Sequence, residues 1–100
     1  MAVRYSNGIG VIIDKELEKP IADIRYQMME TGKTKYTMGK WWGEFSVKRE
    51  IKRAGNYILE FEDGRKGECI ISANSESARS TSRYHYSFFG RGPLGRRGYK

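Results

Sequence analysis

Cysteine and histidine occur once each in this chain, and proline twice. A lone Cys69 has no partner for an intramolecular disulfide, so the fold must rest on its own core, and a reducing compartment is expected. Cys69 and His85 together cannot furnish a closed tetrahedral metal site without carboxylates, so no metal and no other cofactor is expected. Apolar residues never run to the ~18 needed for a membrane span. MAVRYSNGIGVII also lacks the apolar stretch and small-residue cleavage site of a signal peptide. A cytoplasmic protein with no membrane span is the expectation. Helical stripes are missing as well: no window sustains apolar residues three and four apart.

Acidic residues are scarce where the chain is most basic. The formal net charge is +7 over 100 residues. Residues 1–74 hold 13 Lys and Arg against 11 Asp and Glu, whereas residues 75–100 hold six against Glu76 alone. A second basic concentration carries Lys33, Lys35, Lys40, Lys48, Arg49, Lys52 and Arg53 against Glu44 and Glu50. Both regions suit polyanions, acidic proteins or a charged membrane surface.

Period-two alternation fills what is left, and it predicts strands. GIGVIID (8–14) reads as the first, and polar KELEKP with Pro20 as a connection. IADIRYQMME (21–30) places Ala22, Ile24, Tyr26 and Met28 on one face. TGKTK (31–35) reads as a basic turn; its Gly-Lys-Thr lacks the leading glycine of a phosphate loop, because position 27 is Gln27. YTMGKWWGEFSV (36–47) needs a bulge near Gly39 to reconcile Tyr36 and Met38 with Trp41, Phe45 and Val47, which turns Trp41 inward and Trp42 outward. Residues 48–56 fit either one helical turn through Val47, Ile51 and Ala54 or a basic loop. YILEFEDGRKGECIIS is a hairpin about Asp63-Gly64, with Tyr57, Leu59, Phe61, Gly67, Cys69, Ile71 and Ala73 inward. Ser-rich 74–83 reads as a solvated loop, and YHYSFF (84–89) as a last strand.

About six antiparallel strands in one domain predict an all-β fold, a small antiparallel barrel or a compact two-sheet sandwich. Residues 1–89 are expected to form that single β domain. Residues 90–100, GRGPLGRRGYK, read as a flexible Gly- and Arg-rich tail unless Leu94 anchors it. Within FFGRGPLG (88–95), Gly90, Gly92 and Gly95 spell G-x-G-x-x-G, but no helix or acidic ribose partner follows, so the pattern has no dinucleotide context.

Catalytic chemistry finds few candidates. His85 sits on a strand with no nameable orienting partner. Cys69 lies on an inward face, where a lone cysteine behaves as a small hydrophobe. Glu60 and Glu62 are spaced like a hydrolytic pair, about 7 Å along an extended chain. They occupy a wet hairpin face, where Arg65 or Lys66 answers them. A non-enzymatic β domain working through protein contact is therefore expected, either self-associating or serving as a subunit of a larger assembly. The alternative is a nucleic-acid-binding barrel with Trp42 as a stacking platform. Either partner would be met by Trp42, Lys35, Lys40, Arg49, Lys52, Arg53, Arg91, Arg96 and Arg97.

Overall fold

The computed structural model describes residues 3–32, 39–51, 55–73, 83–92, 94 and 95. Six strands appear in order: β1 (Val3–Asp14), β2 (Lys19–Thr31), β3 (Trp41–Val47), β4 (Gly55–Glu60), β5 (Lys66–Ala73) and β6 (Tyr84–Gly90). All pairs are antiparallel, and they close into a barrel in the order β1-β2-β3-β6-β5-β4. The barrel, not the sandwich, is the form taken, and no helix occurs among the described residues.

Two three-stranded meanders make the ring. β1-β2-β3 and β4-β5-β6 each fold on themselves, and two seams join them, β3 to β6 and β1 to β4. The second seam is short, from Val11↔Glu60 to Asp14↔Tyr57. β1 therefore runs on past it, paired there only with β2.

Alternation decides which side chains enter. Ile12, Ile24, Met28, Phe45, Leu59, Cys69, Ile71 and Phe88 are fully enclosed, and Tyr26, Trp41, Phe61 and Tyr86 nearly so. Most of the aromatic rings meet edge-on or tilted, Trp41 to Phe61 at 5.7 Å and 88° and Phe61 to Phe88 at 6.1 Å and 46°, while Phe45 and Tyr86 stack. Such geometry sets the positive edge of one ring against the negative face of another. Where β3 finishes and β6 begins, Ile51 packs into the core. Its N–H donates to Tyr86 Oη at 2.7 Å, and that hydroxyl donates to the Ile51 carbonyl at 3.2 Å, so the buried backbone there is satisfied.

Several boundaries differ from those expected. Pro20 lies inside β2, opposite Ile13, at a register shift that leaves Ile21 as the extra residue. β3 does not join β2 until Ile24↔Val47, so the missing N–H of Pro20 breaks no second ladder. Gly39 precedes β3 instead of bulging within it. Ala73 is exposed because β5 has reached the end of its core-facing run. Residues 33–38, 52–54 and 74–82, on which the basic turn, the helical turn and the Ser-rich loop were read, lie wholly or partly outside the described residues.

Opposite Ile51, the β4–β5 turn is stitched to the end of β2. Arg65 Nη1 and Nη2 donate to Glu30 Oε1 and Oε2 at 3.0 and 2.9 Å, and Arg65 Nε donates to Asp63 Oδ2 at 2.8 Å. Glu62 answers neither Arg65 nor Lys66; its Oε1 accepts from the Ile9 N–H at 2.8 Å, on the part of β1 that has outrun β4. The bidentate bond to Arg65 holds the Glu30 carboxyl below its ordinary value of 4.5, against the opposing effect of burial. A carboxylate lowered on folding stabilises fully above its unfolded value, and that stability is lost as pH falls through the folded value. Urea denaturation from about pH 7 to about pH 3 should therefore show an acid loss in the wild type that shrinks in Arg65→Met.

Candidate functional site

Antiparallel register sets outward side chains of adjacent strands side by side. Tyr5 stands opposite Met29, Met29 opposite Trp42, Trp42 opposite Phe89, and Phe89 opposite Ile70. One apolar row thus crosses five strands of the outer surface, about 19 Å at ~4.8 Å per strand. Tyr5 is 58% exposed, Phe89 63% and Ile70 44%, while Met29 and Trp42 are half-buried between them. No member is charged. The next row on one side is Asn7, Gln27, Glu44, Ser87 and Ser72. Beyond it lie Ile9, Arg25, Ser46 and His85.

On the other side of the apolar row are two of the cations read from the sequence. Lys40 is exposed just before β3, tied to Thr31 through its backbone: Lys40 N–H to Thr31 Oγ1 at 2.9 Å, and Thr31 N–H to the Lys40 carbonyl at 2.8 Å. Arg91 is exposed just after β6; its N–H donates to the Glu68 carbonyl at 2.9 Å and its Nη1 to Asn56 Oδ1 at 3.2 Å. Trp42, Lys40 and Arg91 are thereby brought together. Arg49 is not, because it follows the far end of β3, roughly 30 Å from Lys40 at ~3.3 Å per residue. There it donates to the Ile21 carbonyl at 3.3 Å. Lys35, Lys52, Arg53, Arg96 and Arg97 lie outside the described residues.

The glycine pattern of residues 88–95 serves packing. A Cβ on Gly90 would stand 2.1 Å from Trp41 Cε2, and one on Gly67 2.7 Å from Trp41 Cζ2, so the indole occupies a slot that two absent side chains leave open. Trp41 Nε1 donates to the Gly92 carbonyl at 2.7 Å. Leu94 packs against the core, and Gly95 exchanges backbone bonds with Lys66 at 2.7 and 3.2 Å. Leu94 anchors the described start of the segment past β6.

Cys69 is completely enclosed, and burial pushes its thiol up to about 12, which withholds the thiolate needed for nucleophilic chemistry. No group of three metal-ligating side chains occurs among the described residues. No family model, curated protein or solved structure matches the chain.

Met29, Phe89, Ile70 and Tyr5 were not picked from sequence as site residues. Their outward parity was legible at Phe89. What joins them into a row is the β3–β6 seam, whose partners lie far apart in sequence and carry no local signal.

Proposed function

We propose that this protein is a non-enzymatic contact domain that associates with a second copy of itself through the outer row Tyr5–Met29–Trp42–Phe89–Ile70. The observation that carries this is the row itself: three aromatics, a methionine and an isoleucine in line, two of the aromatics more than half exposed, with charge kept to the rim. Interface centres favour aromatics and Met and exclude Lys and Glu. An uncharged row lets two copies of a +7 chain meet without opposing like charges at the centre, since a two-fold axis near Trp42 turns the row onto itself. With its two flanking rows the footprint is on the order of 400 Å2, the size of a weak contact and not an obligate one.

Sedimentation equilibrium tests it. The wild type should dimerise reversibly with a dissociation constant in the ~10 to ~100 μM range, and Phe89→Glu should weaken that at least about tenfold without lowering thermal stability. A wild type that stays monomeric at millimolar concentration overturns the proposal.

A second reading, single-stranded nucleic-acid binding, is favoured by Trp42 and Phe89 at facing positions of adjacent strands with Lys40 and Arg91 one step away. Bases stack on such rings while cations meet phosphates. Fluorescence anisotropy with labelled oligonucleotides separates the two, because nucleic-acid binding must weaken steeply with salt.

A further inference from the structure

At the far end of β3 from Lys40, the outer face sinks into a trough of about 370 Å3 lined by Arg25, Lys48, Arg49 and Arg83, with Asp23 and Ile9. Among the described residues, four cations meet there and one carboxylate. An adjoining hollow of about 510 Å3 shares Ile9 and Arg25 and adds Ser46 and His85, with the Glu44 carboxylate on its far side from the cations. We propose that this trough binds the phosphate group of a small phosphorylated molecule, a ligand that does not depend on the self-association of the apolar row.

The register builds the cluster. Arg25 stands opposite Ser46, and Ser46 opposite His85. The ladder's last pairs are Ile24↔Val47 and Val47↔Tyr84, so Asp23, Lys48 and Arg83 are next to one another one residue further on. Like charges on adjacent strands repel, and gathering them in a concavity costs stability unless an anion answers. Asp23 forms no ion pair with Arg25 or Lys48, and neither cation has a hydrogen-bond partner among the described residues. Two guanidiniums are already oriented: Arg83 Nε and Nη2 donate to Ser46 Oγ and carbonyl at 2.8 and 3.0 Å, and Arg49 Nη1 donates to the Ile21 carbonyl. Guanidinium holds phosphate through paired N–H groups, and the fork of exposed Arg25, which no protein group among the described residues occupies, is the one open to that anion.

His85 lines the adjoining hollow and not the trough itself. Its Nε2 is buried and has no hydrogen-bond partner among the described residues. A buried polar nitrogen left unmatched is destabilising.

Shape and charge distinguish a small molecule from a nucleic-acid backbone. The volume falls in the range of small-ligand pockets. A backbone needs a continuing track of cations, whereas the row between the trough and the apolar stripe is Asn7, Gln27, Glu44, Ser87 and Ser72, with no cation in it.

Isothermal titration calorimetry of the full chain with pyrophosphate, a nucleoside diphosphate and a twelve-nucleotide single strand tests the proposal, at low and moderate salt. The two small probes should bind, and Arg25→Gln with Lys48→Gln should weaken them at least about tenfold, since each lost charge-assisted hydrogen bond removes about that much. Both positions are exposed and their charges repel one another, so thermal melting should not fall. His85→Phe, a change outside the trough, should leave both binding and the fold intact. Absence of binding by either small probe at about 10 mM overturns the proposal, as does binding that the double variant leaves intact. So does an oligonucleotide that binds where the small probes do not.

Discussion

Gly90→Ala should destabilise the barrel by about 3–5 kcal/mol, although it adds one methyl group. The added Cβ would stand 2.1 Å from Trp41 Cε2, 2.3 Å from Nε1 and 2.5 Å from Cδ2, so it meets the body of a rigid bicycle and not the end of a flexible chain. Gly67 closes the other side of the slot at 2.7 Å, which denies the indole a sideways retreat. Trp41 must then leave the core, losing its contacts with Phe61 and Phe88 and the bond from Nε1 to the Gly92 carbonyl. The loss therefore approaches that of truncating a buried Trp. Guanidinium denaturation gives the magnitude, and a red shift of tryptophan emission reports the expelled ring. In a Trp41→Leu background the same Gly90→Ala change should cost much less, because the clash has been removed, and the difference measures the coupling between the two sites. Equal costs in both backgrounds would show that the slot is not what Gly90 provides.

Phe88→Ala should cost a comparable ~3–5 kcal/mol, by the opposite fault, a void where the structure has a ring. Phe88 is fully enclosed, and its ring centroid lies 5.9 Å from Trp41, 6.2 Å from Phe45 and 6.1 Å from Phe61. Those neighbours are themselves held, Phe45 by stacking on Tyr86 and Trp41 between two glycines, so little can move in to fill the space. Phe88→Leu, which keeps most of the volume, should lose roughly half as much or less. A midpoint for Phe88→Ala within experimental error of the wild type would mean that the core collapses around the loss. Its neighbour Phe89 is the internal control: one residue along the strand and 63% exposed, its change to Ala should leave stability almost untouched while weakening self-association.

That contrast between adjacent phenylalanines was legible in the sequence, as was the inward Trp41 beside the outward Trp42, because a two-residue period assigns faces without knowledge of the partners. The Asp63-Gly64 hairpin was legible for the same reason, its two strands being neighbours along the chain. The β3–β6 seam was not. No local propensity distinguishes Trp42 opposite Phe89 from Trp42 opposite some other residue, and the apolar row exists only through that pairing. The basic trough was hidden in the same way. Arg25, Lys48 and Arg83 sit on three separate stretches of chain, and the charge run from Lys33 to Arg53 drew notice to Lys40 and Arg49 as one patch when the length of β3 holds them apart. Glycine at 90 is ambiguous in isolation, since a phosphate loop and a slot for an indole demand the same absence of a side chain; the missing helix ruled out the first, and only the β5–β6 pairing discloses the second.

The ring of two meanders carries a kinetic consequence. Within each meander, strands that pair are neighbours in the chain, so their hairpins close over shorter stretches of chain than the seams do and form earlier. Neither seam has that advantage: Val11 must find Glu60, and Val47 must find Tyr84, after a search whose entropy local structure only partly reduces. The β1–β4 seam is also the shorter of the two, with four residue pairs against six. The barrel therefore closes last along β1 and opens first there, and amide exchange should trace that order, fastest along the β1–β4 seam and slowest along β3 and β6.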